Sequence, residues 1–222
     1  MNRSFWILFT IILFASCKSK EKVDFGYDYF PMQEGHFVIY NVMEVFHDVN
    51  LSPQHDTLRY KLRTEIGEII IDNSGRQARK YIQSKYHPIN DSLLEKRVWT
   101  RIIDEGRGEV VEENQRKIRL TFAVKKDRQW DVNAFNILPQ NIVHIEDVDK
   151  ERRFDNLEFE STSKISYEDF FSLVDYRMKY EVYAKGVGLV KRSFKDLSIQ
   201  NFDTLDIVQG TEIHYDVIQF GN

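Results

Sequence analysis

The chain has a single cysteine, Cys17, and only four prolines and ten glycines in 222 residues. One thiol excludes a disulfide scaffold and a multi-cysteine zinc module, and so few prolines exclude a Pro-rich linker protein. Excess charge of one sign is also missing, since 31 Lys and Arg face 35 Asp and Glu for a formal net charge of −4. That balance excludes a nucleic-acid binder working through bulk basic charge. No apolar run reaches the roughly twenty residues that span a hydrocarbon core. Apolar and aromatic side chains are plentiful, at 42% and 14% of the sequence. They suffice for one domain with a sizeable core and exclude a chain disordered throughout.

The longest apolar run, Phe5 to Ala15, follows Arg3 and ends in small residues, the layout of a cleaved signal peptide over residues 1–16. Leu13-Phe14-Ala15-Ser16-Cys17 resembles the lipobox of bacterial lipoproteins, with Phe14 where Leu is usual. The resemblance implies a diacylglyceryl group on the Cys17 thiol, cleavage before it, and acylation (palmitate and its like) of the new amino group. One acyl chain anchors only marginally, whereas two or three hold firmly at about 0.8 kcal/mol per buried methylene. Plain secretion with Cys17 as an odd free thiol is the alternative. Cleavage removes Arg3 alone among the charged residues and takes the formal charge from −4 to −5. Residues 17–24 then form the lipidated Cys and a short charged tether, and residues 25–222 the domain. Lys18 in place of Asp resembles outer-membrane sorting in Gram-negative lipoproteins. The lack of an acidic run there favours the side facing the periplasm.

Beyond the tether, alternation of polar and apolar residues dominates. Leu58 to Ile66 is the clearest half-buried strand, with a turn at Asp72-Asn73-Ser74-Gly75. A loop from Asp72 to Arg76 pairs Ile71 with Gln77 and Ile70 with Ala78. Carried back, the register sets Ile66 opposite Ile82, Thr64 opposite Ser84 and Leu62 opposite Tyr86, with Tyr81 covering Gly67 on the other face. Similar stretches recur at 36–47, 97–104, 117–125, 154–161, 178–194 and 211–220. The expected fold is therefore mainly β, a single curled antiparallel sheet or partly open barrel of about eight to ten strands. One short helix is expected at Ser166 to Val174, where Ser166 and Asp169 read as an N-cap pair.

Two segments resemble a largely uncharacterised group of β-rich envelope lipoproteins: Tyr29-Phe30-Pro31-Met32-Gln33-Glu34-Gly35 and Tyr183-Ala184-Lys185-Gly186-Val187-Gly188-Leu189-Val190-Lys191. The likeness implies a lipoprotein of that kind and brings no catalytic residues.

No catalytic constellation stands out. Ser161-Thr162-Ser163-Lys164 lacks the partner motifs of a serine acyl-enzyme, and Gly186-Val187-Gly188 lacks the Lys-Ser/Thr of a phosphate loop and reads as a sheet corner. His47-Asp48 and His55-Asp56 offer two imidazoles without a third fixed ligand, and Asp147, Asp149, Glu151 and Asp155 lack the turning Gly of a calcium loop. No metal site is expected, and no cofactor beyond the acyl groups. Arg59, Lys61, Arg63, Arg79 and Lys85 form an outward basic strip broken by Glu65. Thr57, Ser92 and Thr204 stand in Asp-Ser/Thr-Leu triplets that resemble a bacterial O-glycosylation motif.

The aromatic residues are the most suggestive set. Phe122, Trp130, Phe170, Phe171, Tyr180 and Tyr215 either pack as core or line a cavity for ligand. The function expected is a non-enzymatic outer-membrane lipoprotein binding a hydrophobic or glycan ligand. The alternative is a structural subunit with a fully packed core that meets an envelope protein partner. Nucleic acid is not an expected partner.

Overall fold

The computed structural model describes residues 23–222. The signal segment, Cys17 and most of the tether, on which the lipid-anchor expectation falls, lie outside the described residues. Twelve strands follow in order: β1 Phe37–Asp48, β2 His55–Ile71, β3 Gln77–Tyr86, β4 Leu93–Asp104, β5 Arg107–Glu112 and β6 Gln115–Thr121. They continue as β7 Gln129–Asp131, β8 Ile142–Phe154, β9 Leu157–Phe171, β10 Asp175–Ala184, β11 Gly188–Gln200 and β12 Asp203–Gly221. All belong to one antiparallel sheet of order β6-β5-β4-β3-β2-β1-β12-β11-β10-β9-β8-β7.

The two ends of that order, β6 and β7, are consecutive in the chain, and the sheet curls until they meet. At the seam Ile118 N–H donates to the Val132 carbonyl and Trp130 Nε1–H to the Ile118 carbonyl, both at 3.0 Å. The result is a nearly closed up-and-down barrel. The curled-sheet expectation holds in kind, but the count of about eight to ten strands falls short. Strand β5 begins inside the turn-like Gly106-Arg107-Gly108, β7 is three residues long, and β8 carries the charged run Glu146 to Arg153 that reads as loop.

The expected helix at Ser166 to Val174 is not formed. Strand β9 runs through this segment to Phe171, with Ser166 paired to Tyr180 on one side and His144 on the other. A helix of nine residues is marginal by itself, whereas pairing with β10 continues along the segment to Phe171 and β8 adds a second partner at Ser166. Ser172 instead makes the β9–β10 turn, accepting the Asp175 N–H at its Oγ. Among the described residues the one helical element is a 3-10 turn, Tyr27–Tyr29.

The β2–β3 hairpin keeps the predicted pairs Ile71 with Gln77 and Ile70 with Ala78, then departs from the prediction. Ile69 pairs with Arg79 but Ile66 with Tyr81, so Gly67 and Glu68 together oppose Lys80 in a β-bulge. The extra residue moves every later pair by one, setting Thr64 opposite Gln83 and Leu62 opposite Lys85. A slip of one residue exchanges the faces of a strand. Tyr81, Gln83 and Lys85 therefore point inward with Ile66, Thr64 and Leu62, and Gly67 is approached by Lys80 and Ile82 rather than Tyr81. The outward basic strip shrinks accordingly. Arg59, Lys61 and Arg63 stay on it, while Arg79 and Lys85 change face.

Up-and-down connectivity sorts the loops into two ends. The described chain begins at the end with the 72–76, 104–107 and 184–188 turns, where Asp24 pairs with Lys185 at 2.8 Å and the Asp28 carbonyl accepts the Gly186 N–H at 2.8 Å. There Tyr29 and Phe30 enter the barrel and are buried. The Tyr29 hydroxyl donates to Asp149 at 2.9 Å, and the Phe30 ring lies so close to Gly108 that a Cβ there would stand 3.0 Å from it. The opposite end is ringed by the 48–55, 86–93, 112–115, 131–142, 171–175 and 200–203 connections; among the described residues it has no aromatic plug like Tyr29 and Phe30, although Val132 of the 131–142 connection packs into the core. About eight strands enclose a space that side chains just fill, so twelve enclose more than an apolar core would occupy. Two apolar clusters, one around Tyr29, Leu120 and Ile145 and one around Tyr40, Val182 and Val190, leave polar space between them.

Candidate functional site: the polar barrel interior

Charged side chains fill that space because inward positions of β4, β5, β10 and β11 carry them. Glu181 is fully buried and accepts from Tyr167 and Tyr183 hydroxyls at 2.8 Å each, and from Arg192 Nε at 2.8 Å and Nη2 at 2.5 Å. Burial works against its charge, but Arg192 and Arg119 together with the two phenols hold its carboxyl below the usual range. Burial pushes the Tyr183 hydroxyl upward, so the phenols remain donors. Glu112 pairs with Arg119 and, at 3.0 Å, with Lys117. Here too desolvation is overcome by the two cations, and the carboxyl is pulled down to about 2.

Beside this network lies a cavity of about 70 Å³, walled by Phe30, Tyr40, Tyr81, Trp99, Arg101 and Tyr215 among others. A larger space of about 310 Å³ adjoins it across the shared residues Gln83, Trp99 and Tyr215. Glu44, Tyr60, Lys85, Glu95 and Arg97 complete the larger space. Its polar groups are already organised in pairs. Tyr60 donates to Glu44 at 2.5 Å, Arg97 to Glu95 at 2.7 Å, and the Lys85 ammonium lies 3.8 Å from the centre of the Tyr60 ring. Burial, with the Glu44 carboxylate beside it, raises the Tyr60 hydroxyl well above its ordinary value. Aromatic faces with fixed hydrogen-bonding groups between them suit a polar ligand with an apolar face better than an acyl chain.

Of the six aromatic residues singled out from the sequence, Tyr215 lines both spaces. Phe122 and Trp130 are packed in the first apolar cluster. Phe170 and Phe171 are about half exposed at the unplugged end, Phe170 under Arg177 and Phe171 against Tyr176 and Phe202. Tyr180 pairs with Ser193 on the outer face, below the Lys164 ammonium. The set does not converge on one cavity.

The residues that line the two spaces, Arg97, Trp99, Arg101 and Arg192, and Glu181 bonded behind Arg192, are absent from the sequence-derived candidates. Their signal was present as charge at every second position of otherwise apolar strands, as in Arg97-x-Trp99-x-Arg101. The bulge turns Lys85 from the outward strip into the larger interior space.

Elsewhere, His47 and His55 meet with Nδ1 atoms 2.8 Å apart, and His47 and His214 bracket the two oxygens of Glu212. No group of three His, Cys, Asp or Glu among the described residues has the arrangement to hold a metal. Asp147 and Asp149 lie on a strand rather than a loop and are engaged by Arg152 and Lys185. Ser161 bonds Asp149 while Lys164 pairs with Glu146, so the Ser-x-x-Lys segment is not assembled as a unit. Thr57 and Ser92 are exposed and Thr204 half-buried, all three toward the unplugged end.

The chain matches no protein-family model and no curated protein. A crystal structure described as "a putative lipoprotein" from Parabacteroides distasonis aligns over 90% of this chain and 100% of that one, at 12% identity and a TM-score of 0.39. So loose a superposition carries no argument, and the reading that follows rests on this chain's own residues.

Proposed function

We propose that this protein is a lipid-anchored lipoprotein of a Gram-negative outer membrane. On this reading its barrel is a non-enzymatic binding module for a glycan or similarly polar small ligand. The anchor follows from the lipobox-like segment ending at Cys17. The observation that supports the binding role is the 310 Å³ space walled by Tyr60, Trp99 and Tyr215 with Glu44, Lys85 and Arg97 between them. Entry from the unplugged end suits a module whose tether leaves from the other. Outward positions of the wall carry the ion-paired Lys61, Arg63, Lys164 and Asp216, side chains suited to water.

Native mass spectrometry of the full chain, extracted gently from envelopes, tests the reading. A defined extra mass that is lost in Trp99→Ala supports it, because stacking on an aromatic face supplies much of such binding. A bare mass, with no sugar of a glycan panel protecting Trp99 fluorescence, overturns it. Cys17→Ser should release the chain from membranes, and retention would sink the anchor. A second reading, an assembly subunit, draws on the apolar rim at the unplugged end, where Phe171, Leu173, Val174, Phe202 and Leu205 are exposed. Crosslinking there to an envelope protein, with the barrel empty, would favour it.

A further inference from the structure

Arg101 stands apart from the other interior cations. It is 8% exposed and lines the 70 Å³ cavity, and its Nε–H has no hydrogen-bond partner among the described residues. Arg119 and Arg192 have carboxylate partners in Glu112 and Glu181. The groups that act most on Arg101 are the phenols of Tyr81, Tyr183 and Tyr40 rather than carboxylates, and Glu65, which lines a second small cavity with it, is engaged by Arg63 at 3.0 Å. Burial accordingly works against its charge.

The guanidinium is held by its faces, with its centre 3.5 Å from the middle of the Phe30 ring and 5.3 Å from that of Tyr81. Stacking uses the flat faces of the group and leaves the donor edge available. A buried guanidinium without a counter-charge is costly, and such a group in a native fold calls for a missing partner. The cavity walls otherwise hold one carboxylate, Glu112, and it is already shared between Arg119 and Lys117. Three guanidinium groups line this small space against that one committed anion. A volume of about 70 Å³ holds roughly two waters or the two to three oxygens of an oxyanion head, and no sugar ring.

We infer that Arg101 is an anion-binding residue. It takes the carboxylate or phosphate of an acidic ligand whose uncharged body occupies the adjoining 310 Å³ space. The inference rests on the binding-module reading above and narrows its ligand to an acidic one. The bidentate fit of a guanidinium edge to two oxygens serves either head.

The test is isothermal titration of the full lipidated chain in detergent with sodium acetate and with inorganic phosphate, at constant ionic strength made up with chloride. Binding of one of them on the order of millimolar, lost about tenfold or more in Arg101→Met and partly kept in Arg101→Lys, is the expected result. The stronger of the two identifies the head group. Near-UV circular dichroism shows whether Arg101→Met keeps the wild-type interior, and Arg101→Lys carries the comparison if it does not. Binding of neither anion above chloride, or equal binding by wild type and Arg101→Met, overturns the inference. A neutral co-purified ligand retained by Arg101→Met would overturn it while leaving the binding module intact. Phosphate binding at Arg101 in a barrel that takes no sugar would do the reverse.

Discussion

The Glu181 network gives the most demanding prediction. Glu181→Gln keeps the shape of the side chain but removes the charge on which Tyr167, Tyr183 and both Arg192 donors converge. The substitution leaves the Arg192 guanidinium buried without its counter-ion. Breaking a buried ion pair from one side costs about 3–5 kcal/mol, because the surviving charge loses its partner yet stays out of water. Arg119, 3.9 Å from the same carboxylate, still has Glu112 and should limit the loss to the Arg192 side. For a chain of this size each kcal/mol moves the midpoint by about 2–4 °C, so the thermal transition should fall by roughly 6–20 °C. Circular dichroism of the full chain in detergent at pH 7 measures it. The double variant Glu181→Gln with Arg192→Met removes both charges and should recover at least part of the loss, since the pair's worth lies mainly in mutual compensation. A fall below about 2 °C for the single variant, or simple additivity in the double, would refute the claim that this carboxylate holds the interior together.

Acid should act through the same groups. Glu112, pulled down to about 2 by Arg119 and Lys117, has an ordinary value near 4.3 when unfolded, so its contribution is complete above that value. As pH falls toward 2 the unfolded chain takes up the proton first and stability declines; Glu112→Gln should flatten the decline in urea-unfolding free energies between about pH 4.5 and 2. At the plugged end, Phe30→Ala should cost about 3–5 kcal/mol, since the ring fills the space over Gly108 and covers Arg101, and a loss under 1 kcal/mol by urea unfolding would show that the plug is not core.

Glycine at 210 shows how little of the packing a strand pattern reveals. Gly210 occupies φ 139° with a Cβ position only 2.2 Å from the Asp196 carbonyl oxygen, a constraint set entirely by β11. The same holds at Gly67, whose bulge reversed the faces of β3 and brought Tyr81, Gln83 and Lys85 inside.

Alternation of side chains by itself determined that this chain forms one antiparallel sheet, because period-two burial is a local property of an extended backbone. The turn at Asp72 to Gly75 was legible for the same reason, through the backbone preferences of Asp and Gly. The position of the bulge, the extension of β9 through Ser166 to Phe171 in place of a helix, and the meeting of β6 with β7 depended on partners far away in the chain. So did the interior site. Arg101, Glu181 and Arg192 read in sequence as ordinary charges of half-buried strands, and only closure of twelve strands into a barrel set Arg101 and Arg192 against one small cavity, with Glu181 buried behind Arg192, where their pairing and their charge carry chemical meaning.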